Sequence, residues 1–195
     1  MQTFSLKLSE ALKIAVEAHN GQPRKGTDIP YICHPLGVCS IVVGAGGNEV
    51  QACAALLHDA VEDGGAEYAE IIKDRMGDDV LRIVQACTDG VPDSNGVKAS
   101  WKERKIHHLA STEDPAHTPD EALIVLAADK LYNLRAIYAD AKRIGDEVYS
   151  RFKAGKEGTL WYYDSMIEVL EKRGAPLCAE IKQTLAEVKQ LTACP

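Results

Sequence analysis

At 195 residues the chain has the length of one domain with a sizeable core, and 46% hydrophobic with 26% charged residues is the usual mixture for a water-soluble globular protein. A net charge of −7 speaks against the broad basic surface that a nucleic-acid polymer requires, yet leaves room for a small anion held by local cations. No apolar run reaches the roughly eighteen residues of a membrane span, and the segment from Met1 to Lys7 lacks the apolar stretch of a signal peptide.

The first predicted helix covers 6–19, with Leu8, Leu12, Ala15, Val16 and His19 at helical spacing behind a Ser5 or Ser9 cap, and Asn20-Gly21 ends it. A loop with Pro23, Gly26 and Pro30 follows over 21–33. Pro35 suits a first helical position, which makes His34 the predicted N-cap of a helix running to about Gly44. The Val/Ile-rich stretch 36–43 also has strand character, but its neighbours all read as helix. Asn48 caps a strongly apolar helix from Glu49 to about Glu62, closed by Gly64-Gly65. Helices are predicted at 67–76, at 78–87, over about 98–112 with Trp101 and Ile106, and from Pro119 to about Lys142; between them 89–97 is turn-rich. The rest, to Leu191, reads as two or three helices broken near Gly155–Gly158 and at Gly174-Ala175-Pro176. The expectation is an all-α bundle of about eight to ten helices forming one domain over 1–195.

Six cysteines, at 33, 39, 53, 87, 178 and 194, include no C-x-x-C pair. Cys33, Cys53 and Cys87 sit in apolar runs, where a thiol behaves as a small hydrophobe, so reduced thiols and a cytosolic setting are expected.

The chemistry concentrates in two places. Leu56-Leu57-His58-Asp59-Ala60-Val61-Glu62-Asp63 ends an apolar helix with four ionisable groups in six residues. Burying that many without a metal or partners is costly; taken alone, a frayed, solvated helix end is the better account of them. Asp129 directly follows the apolar run Leu123–Ala128 within a helix, where an unpartnered Asp is disfavoured by propensity and burial alike. Lys130 is its neighbour in sequence but points about 100° away around the helix, whereas Asn133 faces the same way one turn on. His34 begins one helix and His58 ends the next, with 23 residues between them, which brings both to the same end of a helical hairpin. His19, His107 and His117 read as ordinary surface or half-buried residues, as does His108, the one of this group to watch.

Two imidazoles and two carboxylates without a thiolate argue against a closed structural zinc site. They suit Mn²⁺ or Fe²⁺ in an open site, with Mg²⁺ or catalytic Zn²⁺ as alternatives. Glu62 or Asp63, not needed as a ligand, can move the proton, and the set points to a phosphohydrolase. Arg24-Lys25 and Lys102-Glu103-Arg104-Lys105 are cationic clusters able to hold a phosphate.

Four blocks, in order and at matching spacing, resemble the HD-domain phosphohydrolases, and more narrowly the single-domain alarmone hydrolases related to the hydrolase half of RelA/SpoT-type enzymes. They are Ala18–Gly26, Pro30–Leu36, Ala54–Asp63 and Leu126–Arg135, within a resemblance covering roughly 5–170. The resemblance implies an all-helical, Mn²⁺-dependent enzyme that removes the 3′-pyrophosphate from guanosine tetra- or pentaphosphate. It makes His34, His58, Asp59 and Asp129 the metal ligands and Glu62 and Asp63 the catalytic pair. Arg24 would stack on the base, Lys25 would meet phosphate, and Asn133 would hold the ribose or base. The chain departs from many members at Ala136, where they carry Thr, at Leu126-Ala127, and over Ser111–Thr118. Two other readings stay open: an HD phosphatase or nucleotidase acting on another nucleotide, such as an adenosine analogue or NADPH, and a non-catalytic nucleotide sensor. The intact Glu62-Asp63 pair argues against the sensor. The expected partner is a nucleotide substrate, with neither nucleic-acid polymer nor membrane, and no alarmone synthesis is expected.

Overall fold

The computed structural model describes residues 3–90 and 99–192, so most of the predicted turn-rich segment 89–97 lies outside the described residues. These residues form α1 (Leu6–Ala18), α2 (Cys33–Gly44), α3 (Glu49–Leu57), α4 (Glu67–Met76), α5 (Asp78–Cys87), α6 (Trp101–Glu113), α7 (Asp120–Ile144), α8 (Gly155–Lys172) and α9 (Cys178–Leu191), with no strand among them. The fold is all-α, as the periodicity predicts, and the Val/Ile-rich 36–43 stretch is helical. Among the described residues no helix is long and apolar enough to cross a membrane.

Local signals set most boundaries. Ser5 accepts a hydrogen bond from the Lys7 amide at the start of α1, and Asn48 forms a reciprocal capping box with Gln51 at the start of α3. Three boundaries differ from expectation. The helix of His34 begins at Cys33, so His34 lies inside its first turn and Ile32 is the cap. Pro35 is still tolerated, because first-turn amides have no intrahelical acceptor. The helix of His58 stops at Leu57, and Ala60–Gly64 continues as a wide π-type turn that Gly65 closes at φ 124°. Gly155 begins α8 instead of breaking a helix; the break falls earlier, where Gly145 ends α7 and a 3-10 segment runs to Arg151.

Helix α7 is the spine. Ten consecutive residues, Ala122–Leu131, are buried, the pattern of a helix packed on every side. Ile124, Val125 and Ala128 join the core of α1–α5, while Leu123, Leu126, Ala127 and Leu131 join a second core built with α8 and α9. Helix α2 meets α7 at unusually close range: a Cβ on Gly37 would lie 1.9 Å from the Tyr132 ring. Any larger residue would push the helices apart, so this contact sets the distance between His34, one turn before Gly37, and Asp129, one turn before Tyr132. Tyr132 closes the contact by donating its hydroxyl hydrogen to the Cys33 carbonyl at 3.1 Å.

Candidate metal centre and its groove

Helix α2, the end of α3 and the middle of α7 bring four ligand atoms together. His34 Nε2 lies 3.1 Å from His58 Nε2, 3.2 Å from Asp59 Oδ2 and 3.2 Å from Asp129 Oδ1. His58 Nε2 lies 3.1 Å from Asp59 Oδ2 and 3.7 Å from Asp129 Oδ1. A cation holding ligands at about 2.1 Å leaves neighbouring ligand atoms about 3.0 Å apart at right angles and about 3.4 Å apart at tetrahedral angles; the ligand atoms of His34, His58 and Asp59, all within 4.8 Å of one another, have the spacing to hold one ion, with Asp129 Oδ1 beside both imidazoles. His34, His58 and Asp129 are 1%, 2% and 8% exposed, whereas the Asp59 side chain is 20% exposed.

The tautomers agree with that fit. His58 Nδ1 donates to the Ala55 carbonyl at 2.8 Å, which turns the Nε2 lone pair inward. His34 has no such anchor: its Nδ1 is buried without a partner, and the Tyr31, Tyr132 and His58 rings hold it instead, with centroids 5.0–5.4 Å away. Four acceptor atoms facing one another in a buried pocket repel unless a cation or shared protons lie between them. Burial opposes charge on His58, but the Asp59 and Asp129 carboxylates outweigh it and hold the imidazole well above its ordinary pKa. Burial likewise opposes ionisation of Asp59, yet the two imidazoles hold it well below the usual carboxylate range. The imidazoles and carboxylates of this cluster thus stabilise opposite charges on one another.

The surrounding residues bring one correction and several additions. Asp129 has the strong partner that its position demands, and it is Lys130 after all: Lys130 Nζ reaches back to Asp129 Oδ2 at 2.6 Å. The 100° separation holds at Cβ, but a four-carbon stem spans it. Asn133 donates to Asp129 Oδ1 at 2.6 Å, as its place one turn on suggests. Tyr31 donates to Asp59 Oδ2 at 2.7 Å, and Gln22 to Asp63 Oδ2 at 2.9 Å. Neither is singled out by the sequence reading, although both lie inside matched blocks, Gln22 in Ala18–Gly26 and Tyr31 in Pro30–Leu36. Burial and the adjacent Asp59 charge push the Tyr31 hydroxyl far above its usual pKa, so it stays a donor. His19 is buried and bonds Gln22 through Nδ1 at 2.8 Å, a structural role.

A cavity of about 510 Å³ opens on this site, lined by Asp59, Glu62, Asp63 and Asp129, with Lys25, Arg104, Lys105, Lys130 and Lys153 around them. Both members of the predicted acidic pair are therefore beside the cation site. Glu62 faces Arg104 at 3.7 Å and accepts from the Asp89 amide at 3.3 Å. Asp89, buried, ion-pairs Lys105 and Arg104. The cluster at 102–105 thus splits: Arg104 and Lys105 turn into the cavity, while Lys102 lies over Trp161, 4.7 Å from its ring centroid. Burial and nearby Lys153 lower the pKa of Lys25. His108 is buried behind this cluster, its pKa driven down to about 3 by burial and by Lys130.

A second cavity, of about 520 Å³, continues along α7 and shares Lys25, Asn133, Ile137, Phe152 and Tyr163 with the first. Arg24 sits at the junction: it donates to Asn133 Oδ1 at 3.1 Å and stacks 5.3 Å from the Tyr132 ring centroid. The three residues predicted to hold substrate therefore meet at one place, although 109 positions separate Arg24 from Asn133.

A helical bundle whose core presents paired His and Asp side chains to one divalent cation defines a class of metal-dependent domain. The chain belongs to the HD domain family, whose profile matches residues 11–160. It is 39% identical over 153 residues to the guanosine-3′,5′-bis(diphosphate) 3′-pyrophosphohydrolase MESH1 of Xenopus tropicalis, covering 77% of this chain and 78% of that protein. The protein of the same name from Danio rerio is 38% identical over 131 residues, 66% of this chain and 67% of the relative. Among solved structures, a metazoan ortholog of SpoT described as hydrolysing ppGpp superposes with a TM-score of 0.70 at 26% identity, covering 97% of both chains.

Proposed function

We propose that this protein is a Mn²⁺-dependent hydrolase that removes the 3′-pyrophosphate of guanosine tetra- or pentaphosphate, acting as one catalytic domain over residues 1–195. The observation that carries the reading is the joining of a two-His, two-Asp cation site to a cavity ringed by lysine and arginine, with an acidic pair at its edge. The names of the relatives describe the same reaction.

His34, His58, Asp59 and Asp129 would hold the cation, with Tyr31, Lys130 and Asn133 fixing the two carboxylates. A mixed nitrogen and oxygen set without thiolate favours Mn²⁺ or Fe²⁺ over a structural zinc. When bound, the cation polarises the phosphoryl group and acidifies water beside it. Lys25, Arg104, Lys105 and Lys130 neutralise the pyrophosphate, and Asn133 with Arg24 positions the ribose and base. Glu62 and Asp63 take the proton from the attacking water and return it to the departing 3′-oxygen. A new P–O bond forms from water as the bond to the 3′-oxygen breaks, giving pyrophosphate and GDP or GTP. The free thiols of Cys33, Cys39, Cys53, Cys87 and Cys178 support a reducing, cytoplasmic setting.

The test is a product assay with guanosine 3′-diphosphate 5′-diphosphate and Mn²⁺. Pyrophosphate and GDP in equal amounts are expected. Orthophosphate as the first product would replace this reading with a phosphatase, and faster turnover of an adenosine analogue or NADPH would remove the guanosine assignment while leaving the mechanism.

A further inference from the structure

Of the described carboxylates that line the cavity beside the cation site, Asp89 alone is neither a candidate ligand nor a member of the acidic pair. A carboxylate in a cavity that must take a polyanion repels it, so its presence there calls for a role. Asp89 follows the end of α5 and is 8% exposed. Its Oδ2 accepts from Lys105 Nζ and lies 3.2 Å from Arg104 Nη1, while its Oδ1 is buried without a partner. Burial opposes its charge, but Lys105 and Arg104 outweigh that and hold the carboxyl below its ordinary range, so it is an anion. The main chain of Asp89 adds two contacts. Its carbonyl accepts from Arg104 Nη1 at 2.8 Å, and its amide donates to Glu62 Oε2 at 3.3 Å.

These contacts differ in what they can give up. A phosphate oxygen is the same kind of anionic acceptor as Asp89 Oδ2, so either can serve the two cations. Lys105 sits on a flexible four-carbon stem, with Nζ 4.5 Å from the Tyr162 ring centroid, and its ammonium can turn from one acceptor to the other. Arg104 has donors to spare, so it can stay tethered to the Asp89 carbonyl while its carboxylate contact is exchanged. We propose that Asp89 is a built-in counter-anion, a positioning residue whose carboxylate holds Arg104 and Lys105 in place before substrate arrives and then competes with pyrophosphate for both. The proposal rests on the hydrolase reading above and deepens it. Cations already held in place lose less freedom on binding, and a resident competitor limits how tightly the released pyrophosphate is kept. The sign of one effect separates this from bracing alone. Neutralising a brace weakens anion binding; neutralising a competitor strengthens it.

Binding is measured first, because it does not depend on turnover. Inorganic pyrophosphate is titrated by calorimetry into the Mg²⁺-loaded wild type, Asp89→Asn and Asp89→Glu. Asp89→Asn is expected to bind about tenfold tighter, since one repelling charge leaves a partly buried site. The gain should shrink as salt rises toward about 1 M. Asp89→Glu keeps the charge and should bind as the wild type does. With guanosine 3′-diphosphate 5′-diphosphate as substrate, KM should fall in Asp89→Asn with kcat no higher, because losing a competitor strengthens ground and transition states alike. Weaker or unchanged pyrophosphate binding in Asp89→Asn, with melting temperature and metal content showing it folded, overturns the proposal. Should that variant fail to fold, the wild type decides. Pyrophosphate should then shift the NMR signals of the Asp89 carboxyl carbon and the Lys105 ammonium nitrogen together, and a titration that leaves either in place overturns the exchange. If Asp89→Asn tightens pyrophosphate but the wild type cleaves no 3′-pyrophosphate, the counter-anion stands and the hydrolase reading fails.

Discussion

The cation site and the groove beside it are built on opposite plans. The site draws short side chains from the ends and middle of packed helices; its imidazoles are buried, and each lies 3.1–3.7 Å from the other and from the two carboxylates. The groove draws long side chains from the 24–25 loop, α6, α7 and the 151–153 segment, and several pair with spare carboxylates: Arg104 and Lys105 with Asp89, Arg143 and Arg151 with Asp140. Rigid helices suit chemistry that fails when misplaced by an ångström. Flexible cations held by exchangeable partners suit capture of a polyanion that must also leave. Substitutions in the first region should therefore abolish the reaction, and substitutions in the second should tune it.

The largest effect is expected at the ligands. His58→Ala and Asp129→Ala should each lose bound metal and at least about 10³-fold in turnover. Asp129→Ala should also lower the melting temperature, because it leaves the Lys130 ammonium buried and uncompensated, a loss of about 3–5 kcal/mol for a broken buried pair. Metal content and thermal melts check both, and full occupancy with full activity in the two variants would dissolve the contrast at its stronger end.

The acidic pair comes next. Glu62→Gln and Asp63→Asn should keep the metal and lose about 10²–10⁴-fold in kcat, the range for a positioned proton carrier. Wild-type turnover in both would hand proton movement to the metal site alone. Any inequality between them reports how far the Arg104 contact on Glu62 and the Gln22 contact on Asp63 differentiate the two carboxylates.

In the groove the effects should be smaller and of another kind. Arg24→Ala should raise KM by about tenfold with a lesser change in kcat, because the contact it makes to Asn133 and its stacking serve ground and transition states alike. A kcat collapse would move Arg24 into the rigid region. Lys25→Ala should be the mildest, a few-fold weakening that fades as salt rises toward about 1 M, since screening removes a point-charge contact between exposed groups. A salt-independent defect would mean that Lys25 acts through packing on Phe152 instead.

The asymmetry between the regions also explains what could be read from the residues in order. An Asp after the apolar run Leu123–Ala128 demands a partner wherever the helix lies, so Asp129 announced itself. His34 and His58 could be paired because a helical hairpin of that length returns to its start. The partners were harder. The Cβ direction turns Lys130 away from Asp129, and only its long stem brings the ammonium back. Tyr31 reaches Asp59 across 28 positions, and Arg104 reaches Glu62 from another helix. The end of α3 at Leu57 escaped too, because a π-type turn carries the same residues as another helical turn and differs only in how its backbone bonds are routed.

The sequence by itself determined the helical architecture and marked the candidate residues for the cation site and the acidic pair, because periodicity, caps and the cost of burying charge act within one or two turns of chain. Tertiary structure alone decided three further things. It set the spacing of the ligands, through the Gly37–Tyr132 contact that brings α2 against α7. It chose which cations line the cavity, turning Arg104 and Lys105 inward and Lys102 out onto Trp161. It gathered Asp140, Arg143 and Arg151 at the far end of the groove, on a long side chain from the segment after α7 and a glycine in the loop before α2. These depend on where distant segments come to rest and on how far long side chains reach, which no local pattern encodes.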